Sequence, residues 1–171
     1  MIDQPHPLSA PSIRRLFARR DLAIVRHRAA LGRELHLSDT EMLAVAHLAH
    51  HGALTPSRLA GLLGLSSGGT TAMIQRLEQN RHVVREPHPK DGRSSLLRLA
   101  ASTAERVGAW DAPVIDELTN VAARLSDSEQ RAISEFLARA AELTEAASDV
   151  VAGAAPLREE VAVDPVPSLW G

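Results

Sequence analysis

Between residues 38 and 100 the chain is punctuated so densely that few folds accommodate it. Ser38, with Glu41 three positions on, forms a capping box. It predicts a helix that reaches about His51 and ends at Gly52. Thr55-Pro56 starts a second, short helix, a cap residue followed by proline at the first helical position. Leu59, Leu62 and Leu63 lie on its apolar side, and Gly64 ends it. Ser66 and Ser67 offer the next cap. The helix beginning near Gly68 carries Thr70, Met73, Ile74 and Leu77 at i, i+3, i+4 and i+7, a stripe for the core, and Asn80 closes it. The period then drops to two. His82 to Glu86 and Ser94 to Leu99 read as strands around a loop, Pro87 to Arg93, with Asp91-Gly92 at its tip.

Longer helices flank this region. Ser12 is placed to cap a first helix running to about Leu31, with Ile13, Leu16, Phe17, Ile24, Val25 and Leu31 in patches of helical period and Gly32 as the break. Helices resume after Ser102. One is expected to run to about Leu125 with a bend at Pro113, because proline removes a helical hydrogen bond. Ser126 and Glu129 form another capping box and open a helix with Ile133, Phe136, Leu137 and Ala140 on one face, ending near Asp149. Residues 1–11 are expected to be flexible. The tail, 150–171, has three prolines and no periodicity, and is expected to be mobile or laid on a surface, where Trp170 would anchor it. With only two Trp, two Phe and no Tyr, the core must be aliphatic, and the abundance of Ala and Leu makes the fold mainly α.

The order is helix, helix, short helix, turn, helix, hairpin, helix, helix. Segment 54–100 is therefore a helix-turn-helix followed by a two-stranded wing. Such a motif lays its second helix in a DNA major groove with the N-terminal residues at the base edges. The sequence meets that demand. Ser66, Ser67, Gly68, Thr71, Ala72 and Gln75 are small or polar where a groove would lie, and Met73, Ile74 and Leu77 are apolar where a core would lie. Gly68 and Gly69 at the helix start let backbone amides approach a phosphate. The hairpin tip carries Lys90 and Arg93 with His88 nearby, and a narrow minor groove attracts arginine. Asp91 would repel phosphate and is better suited to pinning a neighbouring arginine.

Charge supports this division. The formal net charge of −2 is an average: the first hundred residues carry an excess of arginine and the later ones an excess of Asp and Glu, an asymmetry that hints at an anionic partner. The absence of cysteine excludes disulfides, thiolate metal sites and thiol redox chemistry. No apolar run approaches the ~20 residues of a membrane span, and Met1 to Pro11 lacks an apolar signal core, which places the protein in the cytoplasm without membrane contact. There is no HExxH, P-loop, GxSxG or Gly-rich dinucleotide turn, so neither an enzyme nor a cofactor is expected.

The residues Leu54-Thr55-Pro56-Ser57-Arg58-Leu59-Ala60, Leu63-Gly64-Leu65-Ser66, Thr71 and Arg76-Leu77-Glu78, with Val83-Val84-Arg85-Glu86 and Lys90-Asp91-Gly92-Arg93-Ser94, together resemble the MarR family of transcriptional regulators. The resemblance covers roughly residues 12–148. It implies a homodimer whose helical dimerisation region is 12–52 and 102–149, around a winged helix-turn-helix DNA-binding domain at 53–101. It implies a recognition helix at 67–80 and Arg93 in the minor groove. It also implies a small anionic or phenolic effector held between the two parts. Where the family often has a basic residue on the recognition helix, this chain has Ala72.

The expected partner is thus double-stranded DNA, bound by a dimeric regulator, a repressor released by its effector, at a pseudo-palindromic operator. Arg58, Arg76, Lys90 and Arg93 would supply affinity, with His88 beside them; Ser66, Ser67, Thr71 and Gln75 would read or border base edges, and Gly68 joins the DNA-binding set at the helix start. Trp110 and His47 are the candidates for contact with an effector. His47, His50 and His51 share a helix, and His36, His27 or Glu41 would have to join them to hold zinc, so no metal site is assigned. The alternatives are a zinc-responsive regulator of the same fold and a winged helix that binds only protein.

Overall fold

The computed structural model describes residues 9–91 and 94–153. Six helices and one hairpin follow the chain: α1 (Ala10–Leu35), α2 (Asp39–His51), α3 (Pro56–Leu63), α4 (Ser67–Gln79), β1 (Val83–Pro87), β2 (Ser95–Leu99), α5 (Ala101–Ala122) and α6 (Asp127–Ala152). The chain forms two compact units, Met1–Val114 and Ile115–Gly171.

Local capping sets the helix starts. Ser38 accepts the Glu41 amide while the Glu41 carboxylate accepts the Ser38 amide, and Ser126 and Glu129 do the same for α6. Thr55 caps α3 ahead of Pro56, and Gly64 ends it in the left-handed conformation with φ 62°. Ser66 caps α4 and Asn80 closes it.

The helix ends differ from expectation at four places. α1 begins at Ala10, not after Ser12, because Ser9 is the cap and Ser12 closes the box from within the helix. It also runs through Gly32 to Leu35. That glycine is a packing position: a Cβ there would stand 3.3 Å from the Leu37 carbonyl oxygen and against Met42. The turn is made instead by His36, at φ 57°, with the Leu37 amide donating back to the Gly32 carbonyl at 2.8 Å. α5 continues through Pro113 to Ala122. α6 extends past Asp149 to Ala152 and ends on Gly153 at φ 63°. The first residues of the expected tail, 150–153, thus belong to α6 and its cap, and Trp170 with the rest of the tail lies outside the described residues.

The core sits in the first unit. Leu31 and Leu35 of α1, Met42, Ala44, Val45 and Leu48 of α2, Leu59 of α3, Met73, Ile74 and Leu77 of α4, Val83 and Leu97 of the hairpin and Val107 of α5 form one cluster with Leu54. It is wholly aliphatic, as the scarcity of aromatics requires. The hairpin pairs antiparallel from Val83↔Leu99 to Pro87↔Ser95. Leu54 exchanges both backbone hydrogen bonds with Leu97, at 3.1 and 2.8 Å, on the other edge of β2. This bridge fastens the entry of the helix-turn-helix to the base of the wing.

Beyond this cluster the helices keep large apolar side chains in solvent. Leu22 and Val25 of α1, Val114, Ile115 and Leu118 of α5 and Ile133, Leu137 and Leu143 of α6 are all exposed. Among the described residues no helix is long and apolar enough to cross a membrane.

Candidate nucleic-acid interface

α4 divides along its length as its sequence pattern requires. Thr70, Met73, Ile74 and Leu77 are buried, while Ser66, Ser67, Gly68, Thr71, Ala72, Gln75 and Arg76 are exposed. The Ser66 hydroxyl accepts the Gly69 amide and its carbonyl accepts the Thr70 amide. The amides of Ser67 and Gly68 lead the helix and have no acceptor one turn earlier. A Cβ on Gly68 would meet nothing within 4 Å, so the front of the helix is open to a ligand's approach. With the helix dipole, these amides favour an anion. The Thr71 hydroxyl donates to the Ser67 carbonyl at 2.9 Å, which leaves its methyl as the outward group. Gln75 lies one turn further along the same exposed face.

The cations differ in how they are held. Arg76 bonds through Nε to Glu41 Oε1 at 2.8 Å, a residue of α2, with its side chain still 55% exposed. Arg85 bonds to Glu78 of α4 and to Ser95, and Arg98 to Glu86 across the hairpin, so each strand arginine has a carboxylate partner. Arg58 and Lys90 are exposed and make no ion pair among the described residues. His88, half-buried, is drawn into the loop: its Nδ1 accepts the Lys90 amide at 3.2 Å and its own amide donates to the Ser94 carbonyl. The Ser94 amide in turn donates to the Asp91 carbonyl. His88 thus shapes the wing tip that carries Lys90. Arg93 lies outside the described residues.

The sequence marks Glu41 as a cap and gives no sign of its second bond. Burial pushes its carboxyl pKa up, but the Ser38 amide and hydroxyl and the Arg76 guanidinium outweigh burial and hold it below the ordinary value. Nothing local marks the bond to Arg76, because Arg76 follows Glu41 by 35 positions.

The two effector candidates have different neighbours. Trp110 of α5 lies beside the His27 ring of α1 at 6.2 Å, and His27 Nε2 bonds Asp111 at 2.9 Å. His47 stacks with His51 at 6.0 Å. Its pKa is lowered by burial and by the positive fields of His51, Arg28 and His50. Among the described residues no group of three or more His, Cys, Asp or Glu side chains is placed to hold a metal ion.

A buried-inside, polar-outside helix following a short helix and a turn, then a hairpin with a cationic tip, defines a winged helix-turn-helix protein. Residues 36–94 match the sequence profile of the MarR family. The chain is similar to the HTH-type transcriptional regulator YcgE of Bacillus subtilis, 27% identical over 119 residues that cover 70% of this chain and 77% of that one. Its fold is similar to that of a MepR mutant from a multidrug resistant S. aureus clinical isolate, with a TM-score of 0.60, 14% identity and coverage of 81% and 99%. It is also similar to NadR, solved in complex with 4-hydroxyphenylacetate, with a TM-score of 0.52, 20% identity and coverage of 82% and 98%. Over residues 36–94 the chain is similar to the MarR family, and the curated relative it matches along most of its length is named as an HTH-type transcriptional regulator.

Proposed function

We propose that the chain is a transcriptional regulator of the MarR family, not an enzyme, and that it binds a pseudo-palindromic DNA operator as a homodimer, with α4 of each protomer in a major groove and the wing against the adjoining minor groove. The exposed polar face of α4, opposite its buried apolar stripe, carries this reading. Gln75 is placed to read adenine and the Thr71 methyl to meet thymine. The amides of Ser67 and Gly68, with Arg58, Arg76, Lys90 and Arg93, are assigned to backbone and minor-groove contacts, and Ser66 borders the bases as the helix cap. His88 supports the wing tip.

The homodimer is supported by the solvent-facing Leu, Ile and Val side chains of α1, α5 and α6, apolar surface that one chain leaves uncovered. We assign residues 12–52 and 102–149 to dimerisation and 53–101 to DNA binding. A repressor released by a small anionic or phenolic effector fits this arrangement, because such a ligand would act by changing the separation of the two α4 helices. Trp110 and His47 are the proposed contacts.

Selection of bound duplexes from a random DNA pool tests the reading. It should enrich an inverted repeat whose half-sites lie about one helical turn apart. Failure to enrich any sequence would reject DNA recognition by this face.

A further inference from the structure

Among the described residues Glu41 is the only charged side chain in the core, at 8% exposure. A carboxylate withdrawn from water needs several donors, and Glu41 has three. Oε2 accepts the Ser38 amide at 3.0 Å and the Ser38 hydroxyl at 2.7 Å. These bonds complete the capping box of α2, for which one carboxylate oxygen suffices. Oε1 is used differently. It accepts Arg76 Nε at 2.8 Å, from the exposed face of α4.

The choice of nitrogen matters. Nε is the guanidinium nitrogen nearest the main chain, so a bond there fixes the plane of the group and leaves both terminal nitrogens beyond it. Arginine presents those nitrogens as a rigid fork that matches phosphate. Its rotamer freedom is then lost on folding rather than on binding, which strengthens whatever the fork meets. The rigid end is supplied by the Ser38–Glu41 box, itself part of a helix whose Met42, Ala44, Val45 and Leu48 lie in the core.

We infer that Glu41 is a positioning residue for DNA binding: anchored by Ser38, it holds Arg76 so that the terminal nitrogens of its guanidinium meet a backbone phosphate. This rests on the reading of α4 as the DNA-facing helix. It makes a prediction opposite in sign to simple electrostatics. A carboxylate near a phosphate repels it, so a Glu41 with no part in binding would, on neutralisation, leave affinity unchanged or raise it.

The test uses the full chain and the duplex that the parent protein enriches from a random pool, with affinity read by fluorescence anisotropy over a range of NaCl concentrations. Glu41→Gln is expected to weaken binding about tenfold. It should also make the slope of log affinity against log salt shallower, by about 0.9 for each phosphate no longer engaged. Arg76→Ala should do the same, and the double variant should bind no more weakly than Arg76→Ala alone. Arg76→Lys, at an exposed position that leaves the core untouched, keeps the charge but has no Nε to be held; it should stay within about twofold of Arg76→Ala, given the loss of the fork. Parent-like or tighter binding by Glu41→Gln with an unchanged salt slope, or full affinity in Arg76→Lys, would overturn the inference while leaving DNA binding intact. A parent protein that enriches no duplex would instead remove the reading of α4 and this inference with it.

Discussion

His82 Nδ1 lies 3.1 Å from Thr103 Oγ1, joining the entry of the wing to the first turn of α5. The His82 amide donates to the Leu77 carbonyl and its carbonyl accepts the Ala100 amide, at 2.8 and 2.9 Å. One residue therefore ties the end of α4, the start of β1 and the start of α5 together, with Thr103 itself only 3% exposed. Burial lowers the His82 pKa from 6.5, and Arg106 and His36 add to this, against opposing contributions from Glu41 and the Leu35 carbonyl.

Acid should destabilise the protein over two successive pH ranges. A histidine held neutral in the fold takes up a proton more readily once unfolded, so its stabilisation is complete above the unfolded value of 6.5 and declines as pH falls below it. His47 acts in the same direction. Glu41 has a lowered pKa, so its contribution persists above 4.5 and is lost as pH falls below that. Melting temperature measured from neutral pH downward should first decline between about pH 6.5 and 5, in the range where histidine titrates. His82→Gln should flatten that first decline, and Glu41→Gln the later one. A melting temperature constant through the first range would mean that neither histidine is held neutral.

Gly68→Ala should separate folding from binding. The added methyl meets nothing within 4 Å, and alanine is favoured over glycine in a helix by up to about 1 kcal/mol. The melting temperature should hold or rise. DNA affinity should fall about tenfold, the cost of roughly one hydrogen bond, if the amides of Ser67 and Gly68 touch a phosphate. Parent-like binding would take those amides out of the interface.

What the sequence made legible was local. Ser38 with Glu41, Thr55 with Pro56 and Ser126 with Glu129 announce helix starts within four residues, and the structure has each of them. Thr70, Met73, Ile74 and Leu77 are buried because a helical stripe needs no distant information to define a face. Gly32 misleads because a glycine that ends a helix and one that lets a turn pack closely look alike in sequence; only the Leu37 carbonyl and Met42 distinguish them. The start of α1 is displaced because its box pairs Ser9 with Ser12, without the Glu or Gln that marks the motif. The polar face of α4 is readable, but not that Arg76 is held by Glu41 or that His88 is folded into the wing loop. Those bonds depend on how elements pack, which spacing along the chain does not encode.

Gln75→Ala should change preference more than strength. Gln75 is exposed on α4 one turn beyond Thr71, where a bidentate contact to adenine is worth about 1–3 kcal/mol of discrimination. Repeating the random-pool selection with the variant should relax one position in each half-site. A uniform loss across all duplexes, with a shallower salt slope, would make Gln75 a backbone contact.

Lys90→Ala and Arg93→Ala should each weaken binding, with arginine the larger loss. Lys90 is exposed on the loop that His88 shapes, and the sequence places Arg93 three residues on. Removing one phosphate interaction from each protomer should reduce the salt slope by about 1.8 per dimer, and removing a minor-groove arginine should also alter preference for A·T pairs beside the half-site. Unchanged affinity and slope in both variants would mean that the wing stands clear of the duplex.

Leu118→Asp should separate the protomers. Leu118 of α5 is 60% exposed and Leu137 of α6 54%, so neither side chain supports the core of a single chain. An aspartate there should leave the melting of the aliphatic core nearly unchanged, because substitutions at surface positions usually cost within about 0.5 kcal/mol. In a dimer interface the same carboxylate would be buried without a partner and would oppose association. Sedimentation should show the parent as a dimer and Leu118→Asp as a monomer. Operator affinity should drop by at least about a hundredfold, because two half-sites would no longer be bound by linked recognition helices. Leu137→Ala, which removes apolar area without adding charge, should shift the dimer equilibrium in the same direction by less. A dimer that survives Leu118→Asp with full operator affinity would place the interface elsewhere on the chain.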